Sequence, residues 1–173
     1  MGELERRWSH VEAVARRADK VAALIFGHDD AESEVAVMAA WLHDVGYGEE
    51  VVRTGCHHLD GAYYVRHLGQ RRLAGLVAHH SSGAAEAYRR GWDEEMATFD
   101  KESSPVADLL TYCDLSTGPG GTAVSLDRRL AEVTRRYGAD HVVAAGLLAC
   151  RPELEASFAR VEAAVAGCRA LRP

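Results

Sequence analysis

The chain has 173 residues, 47% hydrophobic and 27% charged with only 4 prolines, so no segment has the polar, core-poor composition of disorder. That length suits one domain built around one core, able to bury roughly 70% of its unfolded surface. The net charge of −6, with arginines scattered in pairs such as Arg6-Arg7, Arg71-Arg72 and Arg135-Arg136, argues against duplex nucleic acid as a partner and leaves a small anionic ligand open.

The first predicted helix runs from about Arg7 to Phe26. Its apolar positions Val11, Val14, Ala15, Ala18, Val21, Ala22 and Ile25 recur at helical spacing and stop at Gly27, with His10 at the edge of the stripe. A second helix is expected over Ala31 to Val45. Its VAVMAAWLHDV run is apolar nearly all round, which predicts a buried helix stopped by Gly46 and Gly48. Shorter helices follow over His58 to Leu68 and Gln70 to His80, the latter closing at SSG. Ser104-Pro105, a capping serine before a first-turn proline, opens a helix over Pro105 to Leu115. The glycine-rich stretch TGPGGTAVS then separates it from a helix over Leu126 to Tyr137 and from helical segments over 139–168, interrupted at Arg151-Pro152. No period-two alternation, internal repeat or linker occurs, so the fold class is all-α.

Four widely spaced cysteines without a Cys-x-x-Cys pair point to free thiols in a reducing compartment. The N-terminus has no secretory apolar region and no stretch approaches the ~18 apolar residues of a membrane span. These features predict a cytoplasmic protein with no membrane partner. None indicates an oligomeric state.

Charge in apolar surroundings is the clue to chemistry. Asp44 follows the apolar run of the second helix, and Asp114 ends VADLLTYCDL. An uncompensated buried carboxylate costs several kcal/mol or more, so each must be protonated, paired or bound to a cation. Nine histidines are present, among them His10, His43 and the pairs His57-His58 and His79-His80. Imidazole with carboxylate suits Fe, Mn, Zn or Co, whereas all-oxygen sites suit Mg and Ca.

In this order, His10, then His43-Asp44, then Asp114 resembles the H…HD…D pattern of the HD-domain superfamily of metal-dependent phosphohydrolases. The similarity spans about Trp8 to Tyr137. It implies an HD-type helical bundle over residues 1–173, with a core at about 8–137 and the helices of 139–168 packed on it. CHHLDGA around His57 and VAHHSSG around His80 resemble the extra histidines of the binuclear branches, such as the HD-GYP phosphodiesterases and the dinucleoside-tetraphosphate hydrolases. By that resemblance Asp44 bridges two ions and orients the attacking water. His10, His43 and Asp114 complete one metal site, and His57 and His80 join Asp44 on the second. The choice within each pair is open: His58 is alternatively an outer donor, and His79 an alternative or additional ligand or a core residue. HDVGYGEE lacks the lysine of the HD-GYP group, and no Gly-Tyr-Pro occurs, which argues against cyclic di-GMP as substrate.

The resemblance implies an enzyme, a hydrolase of a nucleotide or other small phosphate ester. Its cofactor would be a divalent transition metal, two ions, Fe or Mn favoured over Zn, Co or Ni, with a metal-activated water as nucleophile. Two alternatives share the ligands: a di-iron oxygenase, similar to myo-inositol oxygenase, cleaving a C–C or C–P bond, and a non-catalytic HD module that only binds. For phosphate binding the candidates are the backbone of Gly118, Gly120 and Gly121, and the guanidinium groups of Arg128 and Arg129.

Overall fold

The computed structural model describes residues 3–170 and consists of α-helices joined by short connections. In chain order they are α1 (Glu3–Ile25), α2 (Ala31–Leu42), α3 (His57–His67), α4 (Arg71–His79), α5 (Gly83–Arg90), α6 (Asp93–Met96), α7 (Pro105–Leu115), α8 (Leu126–Tyr137), α9 (Val142–Ala149) and α10 (Arg151–Ala170). A single 3-10 turn, η1, spans Val45–Tyr47. Among the described residues the only β pairing is an isolated bridge between Thr117 and Ala123 across the glycine-rich loop. The all-α expectation holds.

Several boundaries follow from local chemistry. Asp30 caps α2 by accepting the Glu32 amide at 2.8 Å. Ser104 caps α7 through the Ala107 amide, with Pro105 in the first turn where no amide hydrogen is needed. Ser125 does the same for α8 at the Arg128 amide.

Two expectations are corrected. The α2 helix is not buried all round: Ala36, Ala39 and Ala40 face the interior, while Met38 and Trp41 are 47% and 41% exposed. Trp8 of α1 lies beside Trp41 with ring centroids 5.9 Å apart, so the outer face of α2 is an aromatic ridge. The apolar interior also divides in two rather than forming one core. The larger cluster draws on α1 to α7, and includes Val14, Ala40, Leu59, Val77 and Leu110. The smaller is made by Leu115 with Leu126, Leu130, Val133, Leu147 and Leu154 of α8, α9 and α10. Phe158 of α10 packs against Tyr112 of α7 at 4.8 Å between centroids, tying the second cluster to the first. Two further helices, α5 and α6, occupy the stretch after SSG for which no element was expected.

This arrangement brings α1, the end of α2, the start of α3, the end of α4 and the end of α7 to one place. There the two predicted carboxylates and most of the histidines meet.

Candidate metal centre

His10 reaches this place from the buried side of α1, and His43 and Asp44 from the first residues beyond α2. His57 opens α3, His80 directly follows α4, and Asp114 lies in the last turn of α7. The geometry depends on one close approach. A Cβ at Gly46 would lie 1.9 Å from the carbonyl oxygen of His57, so only glycine lets η1 press against the start of α3.

His10 Nε2 lies 3.2 Å from Asp114 Oδ1, and His43 Nε2 lies 4.0 Å from that same oxygen. Asp44 Oδ1 stands 3.7 Å from both His43 Nε2 and His57 Nε2, and so faces two groups of donors at once. His10, His43 and Asp44 can converge on one ion, and so can His57, His58 and His80. Gaps of 3.7–4.0 Å are too long for hydrogen bonds. They match the separation, roughly 3–4 Å, of two donors each about 2.1 Å from a shared cation.

The outer hydrogen bonds select the tautomers. His43 Nδ1 donates to the Ala40 carbonyl and His80 Nδ1 to the Val77 carbonyl, both at 2.7 Å, while His10 Nδ1 donates to Gly118 at 3.2 Å. A neutral ring whose Nδ1 carries the proton has its lone pair on Nε2, the arrangement seen around metal-binding histidines. His43 Nε2 is fully buried and has no hydrogen-bond partner. A dry lone pair facing two carboxylates is costly without a cation, so the donor set fits a divalent transition metal.

Electrostatics agree with that fit. For Asp44, burial opposes ionisation, yet the neighbouring His43, His57 and His10 prevail and hold its pKa at about 2. Asp114 is likewise burdened by burial, and His10 and His43 keep it well below the usual carboxylate range. Burial drives His57 down to about 3 and also lowers His58 and His80, so these rings are neutral rather than cationic. His10 is the exception: burial lowers its pKa, but Asp114 outweighs it and the net shift is upward.

Other candidates take different positions. His79 leaves the cluster: its Nε2 bonds the Phe99 carbonyl at 3.0 Å and its ring lines a separate cavity between the α4–α5 turn and α7. The glycine-rich loop presents an acceptor, the Gly118 carbonyl, to His10. The Gly118 amide is spent on the Thr122 carbonyl and that of Gly121 on Gly118, so neither is offered to an anion. Gly120 sits at the outer tip, where an added Cβ would meet nothing. Arg128 is exposed on the outer side of α8, whereas Arg129 lines the cavity in front of the histidines.

Several residues at the cavity were not singled out from sequence. Arg136 lies two turns beyond Arg129 on α8, and Glu132 between them binds both guanidinium groups. Arg7, one turn before His10, places its guanidinium 3.4 Å from the Tyr47 ring centroid and 3.4 Å from Asp44 Oδ2. Tyr47 in turn stacks on His57 at 4.2 Å. Ser81 adopts a left-handed backbone, φ 53°, and donates its hydroxyl to Asp114 Oδ2 at 2.5 Å. Helical spacing from His10 and from Arg129 was the available signal for the arginines; Ser81 had none, because its conformation depends on Thr111 and Asp114 across the fold.

Comparison with known families agrees with this geometry. The model of the HD domain matches residues 7–114, more than half of the chain, from the turn before His10 to Asp114 itself. No curated protein and no solved structure matches the chain. HD domains bind divalent metals, and most members of their superfamily are metal-dependent hydrolases. On this match, and with the His43-Asp44 pair set among buried histidines, the chain belongs to the HD-domain family.

Proposed function

We propose that this protein is a metal-dependent phosphohydrolase acting on a nucleotide or another small phosphate ester. In this reading His10, His43, Asp44 and Asp114 hold one ion, and Asp44, His57 and His80 hold a second. The observation that carries it is the pairing of the buried imidazole–carboxylate cluster with Arg7, Arg129 and Arg136 around one cavity. Guanidinium groups match phosphate oxygens in a bidentate way that suits an anionic ester better than a neutral polyol.

Bound there, a pair of divalent ions supplies an activated water at neutral pH and neutralises charge on the phosphoryl group. The chain's own groups do the rest. Asp44 faces both donor groups with one oxygen and keeps the water in register. Arg129 and Arg136, braced by Glu132, receive the phosphoryl oxygens. Tyr47 shields His57 from solvent and props the Arg7 guanidinium at the mouth.

The test is reconstitution of the metal-free protein with Mn, Fe, Co, Ni or Zn, followed by a panel of phosphate monoesters, nucleotides and dinucleoside polyphosphates. Release of phosphate or a nucleotide dependent on metal is expected, with about two ions bound per chain. Oxygen consumption with the iron form, without phosphate release on any ester, would replace this reading by the oxygenase one. Full metal loading with no turnover of any kind would leave a binding module.

A further inference from the structure

We infer that His58 is an additional imidazole donor to the second metal position, oriented there by the buried carboxylate of Glu86. The inference rests on the metal-centre reading above and adds to it a residue pair outside the H…HD…H…H…D pattern.

His58 and Glu86 are almost completely enclosed, at 2% and 1% exposure. Each keeps one buried polar atom without a hydrogen-bond partner, Nδ1 of His58 and Oε2 of Glu86, and the two atoms stand 3.5 Å apart. Two unsatisfied atoms facing each other across that distance need only a small closing motion to become a charge-assisted bond. The other Glu86 oxygen is anchored by Arg90 Nε at 2.8 Å, so the carboxylate cannot easily turn away.

On its other side the His58 ring joins the cluster. Its centroid lies 3.8 Å from that of His57 and 4.4 Å from that of His80, and these three rings bring ligand atoms within 4.8 Å of one another. A neutral ring giving its Nδ1 proton to Glu86 has its lone pair on Nε2, as His43 and His80 do with backbone carbonyls. The difference is the acceptor, because a carboxylate raises ligand basicity more than a carbonyl does.

The surrounding backbone is shaped around this ring. A Cβ on Gly83 would lie 2.9 Å from His58 Cδ2 and 2.1 Å from the Ala78 carbonyl, so α5 begins on the one residue that leaves space for the imidazole. Gly146 of α9 packs against the Glu86 backbone, where a Cβ would sit in ordinary contact, 3.4 Å from its nitrogen. Helices α5 and α9 thus carry Glu86 up to the metal centre from a part of the chain that holds no other candidate ligand.

A rival arrangement exists on the same atoms: Cys56, His58 and Glu86 can themselves surround an ion. The Cys56 sulfur accepts from the amides of His58 and Leu59 at the start of α3, and the Cys56→Ser variant below separates this arrangement from the one inferred.

The experiment is titration of the metal-free protein with Co(II), followed by calorimetry and visible absorption, on the full chain and on Glu86→Gln, His58→Ala, the double variant, His57→Ala and Cys56→Ser. Two equivalents are expected for the parent. Glu86→Gln should retain both but bind one of them about 10–100-fold more weakly, with a changed Co(II) spectrum. His58→Ala should weaken the same equivalent, and the double variant should be no weaker than His58→Ala alone. Melting of the metal-free variants confirms folding, and Glu86→Asp, which keeps the charge and shortens the reach, is the second variant where Glu86→Gln does not fold. Parent-like affinity and spectrum in both single variants, while His57→Ala loses an equivalent, overturns the role of His58 and Glu86 and leaves the metal centre standing. A third equivalent removed by Cys56→Ser overturns it in favour of the separate site. No Co(II) uptake by the parent overturns both readings.

Discussion

At the scale of single residues, the centre depends on where each imidazole proton is kept. His43 and His80 spend theirs on carbonyls three residues earlier in the chain, at the ends of their own helices, so helix termination itself presents Nε2 to the site. Asp44 is placed where one oxygen faces His43 and His57 equally. Asp44→Ala should therefore remove metal and activity together, because both donor groups lose the oxygen they share. Full metal content with unchanged turnover in that variant, measured by elemental analysis and rate, would refute the bridging role. His57→Ala should cost one equivalent and leave the circular-dichroism spectrum intact. From sequence, His10, His43, Asp44 and Asp114 were legible because charge or imidazole in an apolar helical context is expensive to bury. The pairs were not separable, since adjacent residues on a helix differ by about 100° and their facing is decided by neighbouring elements. Thus His79 turns to Phe99 while His80, one residue past α4, turns inward.

The elements supply precision that no side chain could. Gly46 allows η1 to touch α3 at a distance no other residue tolerates. Gly46→Ala should destabilise the fold by about 3 kcal/mol or more, since the clash is with backbone and cannot be relieved by a rotamer. A denaturant midpoint equal to that of the parent would contradict this. On α8 the periodicity that places Arg129 and Arg136 on the cavity side leaves Arg128 outside. Arg136→Ala is expected to raise KM for a phosphate ester by roughly tenfold, the scale of one charge-assisted contact, whereas Arg128→Ala should change kcat/KM by less than about twofold. Equal effects in steady-state kinetics would mean the helix face is wrongly assigned. The long helices and α7 were readable from periodicity and caps. Helix α5 was not: its interior positions are glycine, alanine and Glu86, so its buried face carries no apolar stripe, and its most buried large side chain is a charge. The apolar run of α2 misled in the opposite direction, because its larger side chains Met38 and Trp41 face outward and the core takes the alanines.

For the whole molecule, the same burial that keeps these imidazoles neutral makes the metal-free chain sensitive to acid. His57 has a pKa of about 3 in the folded chain against an ordinary 6.5, and His58 and His80 are shifted the same way. Below pH 6.5 the unfolded chain takes up protons on these rings that the folded chain refuses, so stability is full above that pH and is lost as pH falls from 6.5 toward 3. Each such proton contributes a slope of about 1.4 kcal/mol per pH unit. Asp44, depressed to about 2 from 3.8, adds a further loss only below about pH 4, and the raised pKa of His10 works against the trend. Since α10 packs on α7 through Phe158 and Tyr112, the two apolar clusters should unfold together in one transition. Urea midpoints of the chelated protein should then fall between pH 8 and pH 5 as a single transition, and a saturating divalent metal should raise the midpoint at pH 8 by binding only the folded form. A midpoint flat across that range in the metal-free protein would mean that the histidines are hydrated in solution and that the dry cluster does not persist without its ions.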